Sequence, residues 1–316
     1  MLIVPQLPIK NRYTSNFAGM WHEKLKELGV DSQLSHQQEP QRLGEKYFTN
    51  VHNAIQFELT ALSNLMNMAD TDNKILFLDI DFPGICTPFV QAFKLLNPEI
   101  ECYGYLHAGS WCNGDVWKDT EGKFEQEATM MLTFDKIFVA TDYHKKKIDN
   151  VFGHGWNNVK IVGFPFYQQD LHEEAGGTLT FEDKDLIFIN GRMEQSNKEL
   201  VQNIVKAFQA ETYTSAAIKD RKDYLDMLQS SKVCISLKTE ETFGLGLVEA
   251  VAMDCLPLVP DKFAYPEVID NESCRYQNES GLMYKLEQLM KRSTPIKFDL
   301  ERWEKTIPKV VKEMGL

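Results

Sequence analysis

The stretch Thr239–Pro260 reads T-E-E-T-F-G-L-G-L-V-E-A-V-A-M-D-C-L-P-L-V-P. The run just before it, Val233-Cys-Ile-Ser-Leu237, has the apolar composition of a buried parallel strand, and from Leu247 onward the residues suit an apolar helix packed back on it. Gly244 and Gly246 are therefore expected at a strand-to-helix turn. The N-terminus of such a helix offers unpaired N–H groups and a partial positive charge, which suit a phosphate or diphosphate. Glu241 falls on the loop before this helix and Glu249 one to two turns inside it, so the spacing predicts two carboxylates addressing one ligand from different heights. Carboxylates accept hydrogen bonds from hydroxyls, and a sugar is rich in them.

On either side of this stretch the chain alternates strand and helix. In the first half, strands are predicted at Leu2–Val4, Lys74–Leu78, Glu101–Leu106 and Lys136–Ala140, with helices at Gly19–Leu28, Pro88–Leu96 and Phe124–Leu132. The segment Val159–Tyr167 closes this half, and the polar stretch Gln168–Gly177 reads as a linker. A second alternation opens with a strand at Asp185–Ile189, followed by helices at Asn197–Gln209 and Asp220–Ser230. The pattern predicts an α/β protein with two doubly wound parallel sheets. Ligands of such sheets sit at the carboxyl ends of the strands, so the loops after Val4, Leu78, Leu106, Ile189 and Leu237 are where functional side chains are expected.

With 316 residues and 43% hydrophobic content, the chain is long enough for two domains with substantial cores. It has no apolar run of membrane-spanning length and no signal-peptide-like N-terminus, so the reading is a soluble, unsecreted, cytoplasmic protein without a membrane span. The six cysteines, at 86, 102, 112, 234, 255 and 274, include no C-x-x-C pair. They read as reduced, mostly buried thiols, with no disulfide-linked partner. The net charge of -12 disfavours bulk binding of polyanions. Lys145-Lys146-Lys147 beside His144 is the only dense basic run, and it suits the solvated face of a helix better than a nucleic-acid contact.

The segment from Glu241 to Glu249, set between strand and helix and followed by Cys255-Leu-Pro-Leu-Val-Pro260 and Tyr265-Pro266-Glu267, resembles the E-x7-E signature of retaining GT-B glycosyltransferases, especially glycosyltransferase family 4. The resemblance implies a GT-B fold, with two Rossmann-like domains facing across a cleft. Residues 1–167 would form the acceptor-side domain, 178–299 the nucleotide-sugar domain, and 300–316 a C-terminal helix crossing back to the first. It also implies that Glu241 contacts the donor sugar's hydroxyls, that Glu249 binds the ribose, and that Phe243, Gly244 and Leu245 offer backbone N–H groups to the sugar and diphosphate. Arg192, in Asn190-Gly191-Arg192, matches the family's diphosphate arginine, and a planar guanidinium suits that group. The family's lysine lies five residues after this arginine, but here that position is Asn197, and Lys198 follows it. His107, after the strand ending at Leu106, stands where the family places a histidine near the sugar's outer hydroxyls, with Trp111 and Asn113 on the same loop. Gly19 is the only glycine in a first loop that is often glycine-rich. Asp254 stands where a glycine is usual, and the short stretch between Arg192 and Tyr224 implies that a strand and a helix are missing.

The activity implied is transfer of a sugar from a UDP- or GDP-sugar to a hydroxyl, with no metal required and no tightly bound cofactor. The run Cys255–Val268, with His107, is locally similar to tRNA-queuosine mannosyltransferases, and a related architecture occurs in transferases that decorate bases of viral DNA. Both point to a modified base of tRNA or DNA as acceptor, with a glycan, lipid or small molecule as the alternative. Two rival readings remain. Leu76-Phe-Leu-Asp79-Ile-Asp81 matches the metal-binding D-x-D of GT-A enzymes, although those have no reason to carry an E-x7-E turn. A non-catalytic nucleotide-binding scaffold would have no need of a complete donor site.

Overall fold

The computed structural model describes residues 1–10, 12–40, 51–69, 74–113, 115, 117–176, 180–191, 197–208, 212–214, 218 and 220–316. The chain divides into two compact units, one of Met1–Phe164 with Lys305–Leu316, the other of Pro165–Glu304.

The first unit runs β1 (Leu2–Val4), α1 (Phe17–Glu27), β2 (Gln33–Leu34), α2 (Val51–Met68), β3 (Lys74–Phe77), α3 (Cys86–Leu96), β4 (Glu101–Tyr105), α4 (Lys123–Thr133), β5 (Lys136–Val139), α5 (Asp142–Phe152) and β6 (Val159–Ile161). Its strands form one parallel sheet in the order β2-β1-β3-β4-β5-β6. The central strands are apolar on both faces because helices cover both sides, with Ile75, Phe77, Ile137 and Val139 on one face and Leu76 and Phe138 on the other. Helix α2, not anticipated from the sequence, buries Ala54, Phe57, Glu58, Ala61, Leu62 and Leu65 along one stripe.

The second unit runs α6 (Gln168–Ala175), β7 (Leu186–Asn190), α7 (Lys198–Phe208), β8 (Thr212–Thr214), α8 (Arg221–Ser230), β9 (Ser231–Ser236), α9 (Leu245–Ala252), β10 (Leu256–Pro260), α10 (Tyr265–Val268), β11 (Arg275–Tyr276), α11 (Glu279–Met290) and α12 (Glu301–Glu304). Its strands are also parallel, in the order β11-β10-β9-β7-β8. One sequence expectation changes here. Most of the predicted linker is helix α6, which buries Leu171, and Gln168 and His172 bond the Ala252 carbonyl at the end of α9. Strand β8 stands at the sheet edge, between α7 and α8.

The predicted C-terminal helix breaks at Lys305. Its second part, α13 (Thr306–Met314), belongs to the first unit and buries Ile307, Val310 and Met314 at helical spacing. Lys74 and Lys136, at the starts of β3 and β5, donate to the Met314 and Glu313 carbonyls, where cations complement a helix C-terminus. This helix end therefore lies at the amino edge of the first sheet. Among the described residues no helix is long and apolar enough to cross a membrane. All six cysteines are free and buried.

Candidate functional site

Strand β9 is buried along nearly its whole length, and the chain leaves it at Leu237 to form the loop that carries Glu241. Two tyrosines hold this end. The Tyr265 hydroxyl lies 2.6 Å from Ser236 Oγ, and Tyr276 donates to the Ser236 carbonyl at 2.7 Å. Burial pushes both phenols up, so both stay protonated at neutral pH. Helix α9 starts after Gly244, whose φ of 91° favours a residue without Cβ. Phe243 anchors the turn by packing its ring edge-on to Trp303 at 4.9 Å. Leu245 and Gly246 open the helix, so their N–H groups have no carbonyl one turn earlier to bond.

Glu241 lies at the mouth of this turn. One of its oxygens pairs with Lys238 Nζ, and the other accepts the Thr242 N–H at 3.2 Å. The Glu241 side chain also runs close to Gly244, as does the Tyr265 ring. Strand β7 pairs with β9 so that Asn190 stands opposite Ser236, which brings Asn190 and Gly191 beside the same turn. Arg192 lies outside the described residues. Asn197 donates its amide to the Leu237 carbonyl at 2.9 Å, whereas Lys198, at the start of α7, is exposed.

Glu249 has a different environment. It is buried, with Arg221 Nη1 at 2.8 Å from one oxygen and the Tyr224 hydroxyl at 2.9 Å from the other. Arg221 also forks onto Glu174 of α6, at 3.1 and 3.0 Å. Burial alone would lower the Arg221 pKa, but the Glu249 and Glu174 carboxylates more than offset it, leaving it raised. Glu249 therefore joins α6, α8 and α9, a role its spacing from Glu241 does not reveal. Arg221 and Lys238, the partners of the two glutamates, are both absent from the residues that the motif points to.

In the first unit, His107 follows β4. Its ring Nε2 is 2.7 Å from the Leu78 carbonyl, its backbone N–H donates to Asp81 Oδ1 at 3.1 Å, and its ring lies against Tyr105, Phe164 and Phe17. Burial lowers its pKa, with Asp81 and the Leu78 carbonyl opposing. Asp79 accepts the N–H groups of Asp81 and Phe82. Burial, and then the Asp81 charge, push its pKa well up. Among the described residues no group of three histidine, cysteine or carboxylate side chains is poised to hold a metal ion. Trp111 packs on Phe152 and His144, and Asn113 is exposed and accepts from Lys118. Gly19 lies within α1. Within the basic run, Lys145 and Lys146 each pair with an aspartate of α5.

No family model matches the chain. A tRNA-queuosine alpha-mannosyltransferase of Drosophila melanogaster is 34% identical over 150 residues, which make up 46% of this chain and 37% of that protein. The match thus spans well under half of that relative's length. Among solved structures, the catalytic domain of starch synthase IV from Arabidopsis thaliana, bound to ADP and acarbose, is similar with a TM-score of 0.62 at 10% identity, over 100% of this chain and 94% of that one. A sucrose-phosphate synthase of Thermosynechococcus elongatus gives a TM-score of 0.60 at 11% identity, over 99% and 93%. With two Rossmann-like units, each built on a parallel sheet, this chain has the GT-B fold.

Proposed function

We propose that this protein is a retaining glycosyltransferase that moves a sugar from a UDP- or GDP-sugar to a hydroxyl on a modified base of tRNA or DNA. The observation that carries this reading is the turn between β9 and α9. There Glu241, the Gly244 helix start and the end of β7 converge at the carboxyl edge of a parallel sheet. In this reading Glu241 holds the donor sugar's hydroxyls. The α9 N-terminus, with N–H groups at Phe243, Gly244 and Leu245, and the Arg192 guanidinium meet the charge that builds on the departing diphosphate. Glu249 addresses the ribose with lone pairs that Arg221 and Tyr224 leave unused, since an ionised carboxylate has about four acceptor sites. No metal is needed, because helix N–H groups and cationic side chains supply the positive field.

The tRNA acceptor rests on the likeness to the mannosyltransferase and on the Cys255–Val268 run. It carries a cytoplasmic location with it. A thermal-shift screen of UDP-, GDP- and ADP-sugars identifies the donor, since a ligand of the native state raises the melting temperature. Transfer of labelled sugar to tRNA then tests the reaction. Glu241→Ala is expected to lower transfer by about 100-fold with the fold intact, the loss for a hydrogen bond to a charged group. Wild-type rates in that variant sink the assignment. Donor binding without turnover, across a broad acceptor screen, leaves a nucleotide-binding scaffold instead.

A further inference from the structure

We infer that Lys238, and not Lys198, is the lysine that meets the donor diphosphate. This rests on the donor-site reading above. Lys238 is the second residue beyond β9, and the pairing of Asn190 with Ser236 sets it alongside Gly191, next to Arg192 in sequence. Gly191 has a φ of 111°, and a Cβ there would lie 2.9 Å from Lys238 Cε and 3.1 Å from its Cγ. The glycine therefore clears the path along which the lysine stem runs. At the end of that path the ammonium pairs with Glu241.

The Lys238 side chain is 34% exposed, so its charge is reachable by a ligand. An ammonium has three donors and can hold Glu241 and a phosphate oxygen together. Lys238 would then link the leaving group to the carboxylate that grips the sugar. The alternative is poorly placed. Asn197 stands at the fifth position after Arg192, where the lysine was expected, and its amide is committed to the Leu237 carbonyl. Lys198 is exposed on the first turn of α7.

The test compares affinities for UDP and GDP with those for uridine and guanosine, by calorimetry and ligand-observed NMR. Lys238→Met is expected to weaken the diphosphate by about tenfold or more, the value of a hydrogen bond between charged groups, while the nucleoside binds as to wild type. Lys238→Arg should recover part of the loss. Lys238→Gln, checked for an unchanged melting temperature, guards against damage to the fold. Three results overturn the inference alone: unchanged diphosphate affinity in Lys238→Met, parallel loss of nucleoside affinity, or a loss confined to Lys198→Met. If wild-type protein binds neither diphosphate nor nucleoside, the donor site itself is wrong and the inference falls with it.

Discussion

Each oxygen of Glu249 bonds one partner from α8, so truncating it leaves a half-buried guanidinium with only Glu174 and the Tyr224 phenol without its carboxylate. Glu249→Ala is expected to cost about 3 kcal/mol in urea unfolding, because breaking a buried pair strands a charge. An Arg221→Met, Glu249→Gln double variant should cost less than the two single changes together. A second residue gives a pH signature. Burial, and then the nearby Asp81 charge, push Asp115 up to about 7 from 3.8, with Glu127 and Lys123 also facing it. The folded protein thus holds this proton more tightly than the unfolded chain. The Asp115 contribution to stability therefore declines as pH rises from about 4 through about 7 and is flat above that. Asp115→Asn should flatten the melting-temperature profile between pH 5 and pH 8; an unchanged slope rejects this assignment. These partnerships were not legible in the sequence. Arg221 lies 28 residues before Glu249 and shares no motif with it, and Lys238 sits among ordinary polar loop residues. Spacing reports which side chains share an element, but a salt bridge between elements is set by packing.

At the scale of elements, the β9-turn-α9 unit was legible because three local signals agree: an apolar strand, a glycine, and an apolar helix. Gly244 makes this testable. At a φ of 91°, Gly244→Ala is expected to cost about 1–2 kcal/mol, since a Cβ crowds the following carbonyl in that region. It should also weaken diphosphate binding, because the helix start would shift. Helix α2 is less legible, although Ala54, Glu58, Ala61, Leu62 and Leu65 recur at helical spacing. Its carboxylate at Glu58 breaks the apolar stripe, and the structure shows why that is tolerated: Glu58 accepts the Ile85 and Cys86 N–H groups at the start of α3, at 2.9 and 3.0 Å. The polar sequence of helix α6 has the composition of a linker. It buries a single apolar residue, Leu171, and its helical state comes from contacts that its own composition does not display.

At the scale of the whole molecule, the strand-helix alternation made the two parallel sheets legible, whereas the order of strands within each sheet was not, since it depends on crossovers rather than on local pattern. The return of α13 to the first unit gives a direct test. Removing residues 305–316 takes the helix-end carbonyls from Lys74, which keeps Glu101, and from Lys136, and empties the pocket for Ile307 and Val310. Hydrogen exchange is expected to speed up in the first unit while the strands of the second keep their protection; uniform loss in both would reject this division. The same arrangement sets an order of events during synthesis. The second unit lies wholly within residues 165–304, so all of it has left the ribosome before the segment that completes the first. The unit that starts first finishes last. Until Lys305–Leu316 emerges, the amino edge of its sheet is a surface that a chaperone would have to shield.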